Sequence, residues 1–308
     1  MSAAAAAYHN VEPQRKKPKY VIRPAPSTPP KYLALATGGR HRLDRHGWMI
    51  IFSYLPRDDL TRCLRVCRTW YRWAMNADFY PIMELKETAL KHHHMRGIIR
   101  RQPKTLDLTG SNVSHEQLGW LTARLPHLKH LILVRNSWAA VSSLCSSSCP
   151  LLYSIDLSWV SSVRSKCLRD LLAPPTDHRP GVIDTVSRFR RCTRMDLTGS
   201  NIDDSAIEYL SSVWLPKLTH LSLAFVVRIT EKGLESLAKC ESLKELKLQY
   251  CHGIRSLSPL RNVPALQHVQ LGSQQVTMAK EFIQNNSSIF EFVEPNFIRR
   301  KSDIITII

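Results

Sequence analysis

A spaced pair of apolar residues, most often Leu-x-Leu, recurs along most of the chain and strongly limits how the chain can fold. The second member of each pair is Leu85, Leu108, Leu133, Leu157, Leu197, Leu223, Leu248 and Leu271, at spacings of 23, 25, 24, 40, 26, 25 and 23 residues. Side chains alternate across a strand, so both members of a pair face the same side. Because one such unit cannot bury its leucines alone, neighbours must stack. The period predicts an α/β horseshoe with parallel strands on its concave face and helices outside.

The two fullest units resemble the leucine-rich-repeat template of strand, turn and returning helix. They are Leu128-x-x-Leu131-x-Leu133-x-x-Asn136 and Leu243-x-x-Leu246-x-Leu248-x-x-Cys251. We assign residues 81–290 to the repeats and 291–308 to a C-terminal cap or tail. The spacing of 40 residues marks an insertion at about 173–188, whose prolines and glycine favour an irregular loop.

A different pattern precedes the repeats, between Trp48 and Tyr80. Trp48, Ile51, Phe52 and Leu55 recur at i, i+3, i+4 and i+7, which is typical of one face of a helix. Pro56 ends that helix, and Asp58 or Asp59 is expected to cap the next one. The segment holds more large apolar surface than three short helices can bury among themselves, so we expect it to bind a partner.

The same segment resembles the F-box, at Ile51-Phe52-Ser53-Tyr54-Leu55-Pro56, Val66-Cys67-Arg68-Thr69-Trp70 and Phe79-Tyr80. We place this module at residues 43–80. The Leu-Pro opening of most F-boxes is missing, and Leu43-Asp44 stands nearby instead. The resemblance implies docking on the Skp adaptor of an SCF-type cullin-RING ubiquitin ligase. The predicted adaptor-binding residues are Trp48, Ile51, Phe52, Leu55, Pro56, Leu60, Val66 and Trp70. The alternative is a helical cap for the solenoid.

Within about residues 48–181 the chain also resembles the C-terminal F-box and leucine-rich-repeat region of the JmjC-domain histone lysine demethylases, the lysine demethylase 2 family. The resemblance rests on residues 97–103, residues 145–152 and the insertion. It implies that the demethylase domain and zinc-binding modules lie outside this sequence. A chromatin-associated interaction module without a catalytic domain is therefore the alternative to a ubiquitin-ligase substrate receptor.

The first 42 residues are rich in alanine, proline and basic residues and show no periodicity, so we expect disorder. Residues 1–47 contain nine Lys or Arg and two Asp or Glu, a net charge of 9 − 2 = +7 within a chain of +18. Arg15, Lys16, Lys17 and Lys19 are typical of a nuclear localisation signal, although a solvated charge run is the alternative. We expect a nuclear protein, with a cytoplasmic pool left open, whose tail makes weak nucleic-acid contacts.

The concave face of the repeats is the candidate surface for a target protein. Its predicted residues are Asp107, Asp156, Trp159, Asp196, Phe225 and Tyr250. The aspartates occupy one column of the predicted sheet, which favours a target with lysine or arginine at that point. The rings stand at one repeat position near the strand ends, where exposed aromatics serve as interface anchors. Packing under the next repeat is the alternative, and residues 174–181 are expected to form a side wall.

The sequence gives no indication of an enzyme or a membrane protein. We find no phosphate-binding loop, dinucleotide fingerprint or nucleophile elbow. His92, His93 and His94 could bind a metal weakly, but adjacent histidines cannot converge without a fourth ligand, so we favour a solvated loop and predict no cofactor. No apolar run approaches the roughly 20 residues that span a bilayer. The eight cysteines lack metal-site spacing, and we expect reduced thiols, mostly in the core.

Overall fold

The computed structural model describes residues 32–33, 43–175, 177, 186–214, 217–272, 275–287, 290–294 and 297–300. The nuclear-import cluster, Arg15, Lys16, Lys17 and Lys19, lies outside these residues, as does the centre of the insertion. Two compact units are present, residues 1–74 and 75–308. Tyr80, where we expected the first module to end, therefore falls in the second unit.

The described part of the first unit, residues 32–33 and 43–74, contains a short two-stranded sheet and three helices. Strand β1 (Tyr32–Leu33) pairs antiparallel with β2 (Leu43–Asp44). Helices α1 (Arg45–Ser53), α2 (Arg57–Cys63) and α3 (Arg68–Ala74) follow. The three predicted helices are present, but β1 differs from the expectation that residues 1–42 lack regular structure. The N-cap of α2 is Pro56, which makes no side-chain hydrogen bond to the helix. Asp58 and Asp59 lie in the first turn of α2, so neither is the cap that we expected.

Three aromatic rings form the centre of the first unit. Trp48 and Trp70 lie 4.6 Å apart between ring centroids, and Phe52 meets Trp70 edge-on at 5.3 Å. Phe52 and Leu60 are only 1% and 2% exposed. The i, i+3, i+4, i+7 face of α1 thus points partly into the unit's own core.

The second unit is a leucine-rich-repeat solenoid, which confirms the predicted α/β fold. Each strand ends one residue before the second leucine of its predicted pair, and β3 to β10 are parallel neighbours in chain order. The strands are β3 (Ile82–Glu84), β4 (Thr105–Asp107), β5 (His130–Ile132), β6 (Ser154–Asp156), β7 (Arg194–Asp196), β8 (His220–Ser222), β9 (Glu245–Lys247) and β10 (His268–Gln270).

Helical segments return the chain on the opposite side of each strand. The α-helices are α4 (His92–Arg101), α5 (His115–Thr122), α6 (Trp138–Val141), α7 (Ser165–Leu172), α8 (Asp204–Trp214), α9 (Glu231–Leu237) and α10 (Val276–Asn285). Short 3-10 turns cover Ala77–Phe79, Ser142–Cys145 and Ser258–Asn262. Local sequence determines where α5 begins. The Ser114 hydroxyl accepts a hydrogen bond from the Gln117 N–H, and the Gln117 side chain accepts one from the Ser114 N–H.

The leucines of successive repeats form one continuous core between the strand and helix layers. Asn136, at the asparagine position of the repeat template, is buried there. Its side-chain amide donates to the carbonyls of Leu108 and Leu133 at 2.8 and 3.1 Å. These bonds satisfy backbone groups in two repeats, so Asn136 ties neighbouring turns together.

The sheet ends in an antiparallel hairpin of β11 (Phe290–Glu294) and β12 (Phe297–Arg300). Strand β12 pairs antiparallel with β10, and Ile298 is buried. The segment that we expected to close the solenoid therefore continues its sheet, and the sheet runs past the predicted boundary at residue 290.

Candidate functional site

Large apolar side chains are exposed on the first unit. We call this set the helical apolar surface, and it comprises Ile50, Ile51, Tyr54, Val66 and Tyr71. Tyr54 is 84% exposed and Val66 is 62% exposed. Side chains of this kind are stabilised when a partner removes them from water, by roughly 25 cal/mol for each Å² of apolar surface. Five such exposed side chains on a small three-helix unit are typical of an interaction site.

The structure divides the eight predicted adaptor-binding residues into two groups. Ile51, Pro56 and Val66 are exposed, whereas Trp48, Leu55 and Trp70 are half-buried. Phe52 and Leu60 are buried in the unit's own core, so direct contact with a partner is not supported for these two side chains. Both instead hold the helices that display the exposed residues. The sequence analysis missed Tyr54, which follows the end of α1 and is not one of the residues at i, i+3, i+4 and i+7, and was therefore assigned no role.

The concave face of the second unit has the predicted columns. Asp156 pairs with Asp196 in the parallel register of β6 and β7, whereas Ile132 stands between Asp107 and Asp156. The register therefore brings two of the three predicted aspartates side by side. We call Asp156 and Asp196 the acidic pair.

Asp107 differs from the acidic pair. It is buried, its Oδ1 accepts hydrogen bonds from the Thr109 N–H and hydroxyl, and its Oδ2 lies 3.4 Å from the Lys86 ammonium. The hydrogen bonds to Glu84 and then to Asp107 raise the pKa of Lys86. Asp107 therefore already has a cationic partner and stands apart from the acidic pair, and its part in target binding stays a prediction.

Each member of the acidic pair uses one oxygen within its own strand end. Oδ1 of Asp156 accepts from Ser158, and Oδ1 of Asp196 accepts from Thr198. Burial raises the pKa of Asp156, and the charges of Asp196 and Asp107 add to that effect against the hydrogen bonds from Ser158. The remaining oxygens accept no hydrogen bond from any residue that the structure describes, so they are positioned to receive a cation.

The acidic pair lines a groove of about 220 Å³ on the concave face. Arg194, His220, Glu245 and Lys247 also line it, so the groove is mixed in charge beyond the pair. His220 Nε2 lies 3.2 Å from Glu245 Oε1. The pKa of His220 is nevertheless lowered, mainly by burial, and the Arg194 and Lys244 charges add to this against the raising effect of Glu245. The repeat pattern places all four on the concave face, but none was assigned to target binding, because the sequence does not show which polar residues of a column meet a partner.

The three predicted rings form a continuous row, which we call the aromatic ladder. Trp159 and Phe225 lie 5.3 Å apart between centroids, and Phe225 stacks on Tyr250 at 4.4 Å. Trp159 is 49% exposed and Phe225 is 41% exposed, so neither ring is hidden under the next repeat. The ladder lies along the edge where the strands end, on the turns that follow the strands.

Backbone geometry explains the alignment of the ladder. Trp159, Phe225 and Tyr250 all have left-handed backbones, with φ of 57°, 59° and 58°. Gly199, at the same repeat position between Trp159 and Phe225, has φ of 71°. A Cβ atom at Gly199 would lie 2.5 Å from Cε3 of Trp159. Gly199 thus lets the indole cross one repeat to reach Phe225, a role that the sequence analysis missed although the glycine marks the gap in the row.

Part of the insertion is fixed to the neighbouring repeat. The Asp177 carboxylate accepts hydrogen bonds from the Ser146 hydroxyl at 2.8 Å and the Ser147 N–H at 2.7 Å. Burial acts to raise the pKa of Asp177, but these hydrogen bonds outweigh it and lower the pKa. Pro174 and Pro175 are described, whereas residues 178–181 of the predicted side wall lie outside the described residues.

The described residues also bear on metal binding, membrane insertion and the cysteines. No group of three or more His, Cys, Asp or Glu side chains there is arranged to hold a metal ion. No helix among the same residues has the length and apolarity to cross a membrane. Cys149, Cys192, Cys240 and Cys251 are buried, whereas Cys63, Cys145 and Cys167 are half-buried and Cys67 is exposed, so four of the eight thiols lie in the expected core.

These two units define the class of protein: an F-box-like module followed by a leucine-rich-repeat solenoid. Residues 48–80 match the family described as F-box-like. The chain is 38% identical over 321 residues to lysine-specific demethylase 2B of Mus musculus, which covers 94% of this chain and 24% of that protein. It is 36% identical over 251 residues to lysine-specific demethylase 2A of Xenopus tropicalis, covering 78% of this chain and 22% of that protein.

A third relative is F-box/LRR-repeat protein 5 of Salmo salar, 26% identical over 214 residues, covering 62% of this chain and 28% of that protein. The chain spans about a quarter of the length of these relatives. The resemblances to F-box and leucine-rich-repeat proteins and to the lysine demethylase 2 family are confirmed. The similarity to demethylase 2B covers 94% of the chain, and so reaches beyond residues 48–181, on which the second resemblance rests.

Proposed function

We propose that this chain is a non-catalytic substrate receptor of an SCF-type ubiquitin ligase. The first unit binds a Skp-type adaptor, which in turn joins a cullin, and the solenoid holds a target protein near the ubiquitin-bearing enzyme. Such a receptor acts by positioning its target, so it needs two binding surfaces and no cofactor. The observation that carries this proposal is the helical apolar surface on a unit that matches the F-box-like family.

The proposed adaptor contact involves Ile51, Tyr54 and Val66 directly, with Leu55, Pro56 and the half-buried Trp48 and Trp70 at its margin. Removing one well-packed interface anchor typically costs about 2 kcal/mol or more of binding free energy. We expect Val66→Asp to reduce co-purification with a co-expressed Skp adaptor by at least about tenfold, since a carboxylate would be desolvated in an apolar contact.

Val227 offers a matched control, because it is 58% exposed, close to the exposure of Val66, but lies in the second unit. Val227→Asp is expected to leave adaptor recovery unchanged. If Val66→Asp retains full recovery, or if Val227→Asp lowers recovery equally, the helical apolar surface is not the docking site. Circular dichroism of both variants verifies that each chain still folds.

The solenoid is proposed to bind a lysine- or arginine-bearing segment of the target. The cation would lie against the acidic pair in the groove, while apolar parts of the segment contact Trp159, Phe225 and Tyr250. Burial of Asp156 beside Asp196 supports this proposal, because a cation relieves the repulsion between adjacent carboxylates. Proximity labelling with Asp196→Asn and Phe225→Ala variants tests it, and an unchanged set of labelled proteins from folded variants contradicts it.

A second candidate is a chromatin-associated interaction module with nuclear residence. Similarity to lysine-specific demethylases 2A and 2B favours it, as does the net charge of 9 − 2 = +7 in residues 1–47. Changing Arg15, Lys16, Lys17 and Lys19 to alanine should shift the protein to the cytoplasm. A variant that remains fully nuclear shows that import depends on other residues. Retention on chromatin without adaptor binding would favour this second function over the first.

A further inference from the structure

A cleft of about 670 Å³ lies at the edge of the second unit where the strands begin. It shares no lining residue with the groove that contains the acidic pair. The described lining contains four permanent cations and a histidine and no carboxylate. The charged and aromatic residues of the lining are Lys104, His127, Lys129, Tyr153, Arg188 and Arg191.

The repeat itself places cations side by side in this cleft. The Lys129 N–H donates to the Lys104 carbonyl at 2.8 Å, and the Tyr153 N–H donates to the Lys129 carbonyl at 2.7 Å. These three residues therefore occupy the same position in consecutive turns, about 4.8 Å apart. Both lysines are exposed, and neither ammonium forms an ion pair within the described part of the chain. Adjacent like charges disfavour the free protein, and an anionic ligand removes that penalty.

Two arginines, Arg188 and Arg191, add positive charge to the lining of the cleft. Arg188 donates from Nε and Nη2 to the Cys149 carbonyl at 2.8 and 2.6 Å, which anchors the chain leading to Arg191. The field extends to His130, whose pKa is lowered first by burial and then by the charges of Lys129 and Arg194. Cations from three repeats thus converge on one concavity without an opposing acid among its described residues.

An aromatic ring distinguishes the cleft from a plain phosphate site. Tyr153 is exposed, and its ring centroid lies 5.5 Å from the Lys129 ammonium. A ring beside a cation matches the two parts of a nucleotide, because bases stack on aromatic side chains and phosphates bind cations. The cleft volume also falls within the roughly 300–1,000 Å³ of ligand sites. We propose that this cleft binds a nucleotide, either free or within a single-stranded nucleic acid, with the base on Tyr153 and the phosphate near Lys104, Lys129 and Arg191.

Fluorescence anisotropy of the full chain with a short labelled oligothymidylate tests the proposal. Competition with ATP and with inorganic tripolyphosphate separates a nucleotide from phosphate charge alone. If a fluorescent ATP analogue binds and the oligonucleotide does not, the ligand is a free nucleotide; if the oligonucleotide binds and ATP displaces it, the cleft accepts a strand; if neither probe binds, the proposal is refuted. The proposal is overturned if tripolyphosphate competes as well as ATP, or if a duplex of the same length binds as tightly as the single strand. In either case the base does not contribute to binding.

Charge-matched variants assign the binding to the cleft. Lys104→Gln with Lys129→Gln should weaken whichever nucleotide probe binds by at least about tenfold. For a single strand it should also lower the slope of log affinity against log salt by about 0.7 for each lost contact. Lys232→Gln with Lys239→Gln removes the same charge from exposed lysines outside the cleft and should change affinity less than twofold. Equal losses from the two pairs refute a defined site.

Two further variants separate the cleft from the basic tail. Tyr153→Leu should weaken binding about fivefold or more through lost stacking. Alanine at Arg15, Lys16, Lys17 and Lys19 should leave most of the affinity in place, and complete loss of binding in this variant assigns the nucleic acid to the tail. The Skp-adaptor and target assays use other residues, so failure here leaves the proposed receptor function untouched.

Discussion

Replacing Gly199 with alanine should displace Trp159 from the aromatic ladder. The new Cβ would lie 2.5, 2.8 and 2.8 Å from three indole carbons, closer than real Cβ atoms approach carbon, so the ring must move. Phe225 would then lose its contact with Trp159, now at 5.3 Å between centroids. Aromatic pairs contribute about 0.5–1.5 kcal/mol beyond their buried area. The left-handed backbone at Gly199 adds roughly 1–2 kcal/mol of strain for a residue with a Cβ.

Gly110 provides the control for backbone strain. It occupies the same repeat position with φ of 62°, and a Cβ there would lie 3.2 Å from the Cγ of Glu87, a flexible side chain. Both alanine variants are destabilised by the left-handed backbone, but only Gly199→Ala also disturbs an aromatic pair. The free energy of unfolding should therefore fall by about 0.5–1.5 kcal/mol more for Gly199→Ala than for Gly110→Ala. For a unit of this size that difference lowers Tm by roughly 1 to 6 °C.

Chemical denaturation of both variants measures the difference, and near-ultraviolet circular dichroism monitors the indole environment. The double variant Gly199→Ala with Trp159→Ala completes a mutant cycle in which the extra cost should vanish, because the ring that clashes is gone. Equal free energies of unfolding for Gly199→Ala and Gly110→Ala would refute the packing of Trp159 across Gly199. Target labelling by Gly199→Ala should also weaken if the ladder must be continuous to bind.

Three further predictions concern carboxylates and a helix start. Because the raised pKa of Asp156 favours its neutral form, target capture should fall with decreasing pH at values above the usual 3.8, and Asp156→Asn should bind weakly without that pH dependence. The hydrogen bond from the Ser205 hydroxyl is the main cause of the lowered pKa of Asp203, so its stabilisation is complete above pH 3.8 and is lost as pH falls through the lowered pKa. Asp203→Asn should flatten acid unfolding in that window, and an unchanged acid profile contradicts this assignment. Ser114→Ala should reduce the free energy of unfolding by about 1 kcal/mol through loss of the α5 cap, measured by urea denaturation, whereas a change near zero would show that Gln117 alone suffices.

The repeat was predictable because each of its leucines must be buried between the strand and helix layers, and this shared requirement repeats along the sequence with one period. The register of Asp156 beside Asp196 follows from the strand period of two, so the acidic pair was also within reach of the sequence. The side chain with which an aspartate of this column forms an ion pair was harder to predict. The pairing of Asp107 with Lys86 depends on side-chain reach across one turn, which has no periodic pattern.

The first unit shows the opposite limit of sequence analysis. Phe52 and Tyr54 are both aromatic residues of one motif, yet the former is 1% exposed and the latter is 84% exposed. The helical period located the apolar face of α1 correctly, but it does not specify whether neighbouring helices or a partner cover that face. The exposed side chains off the face were therefore assigned no role, although they form much of the candidate docking surface.

The insertion has a consequence for how such a protein acquires new binding properties. Strands β6 and β7 are direct neighbours even though their repeat spans 40 residues, against 23 to 26 in the other repeats. Loop-closure entropy scales as (3/2)RT ln n, so shortening 40 residues to about 25 changes the free energy of unfolding by only roughly 0.4 kcal/mol. Sequence length at this point is thus nearly neutral for folding. Segments can be lengthened, trimmed or exchanged there while both flanking strands keep their register, which gives selection, or an engineer, a place to vary specificity without rebuilding the array.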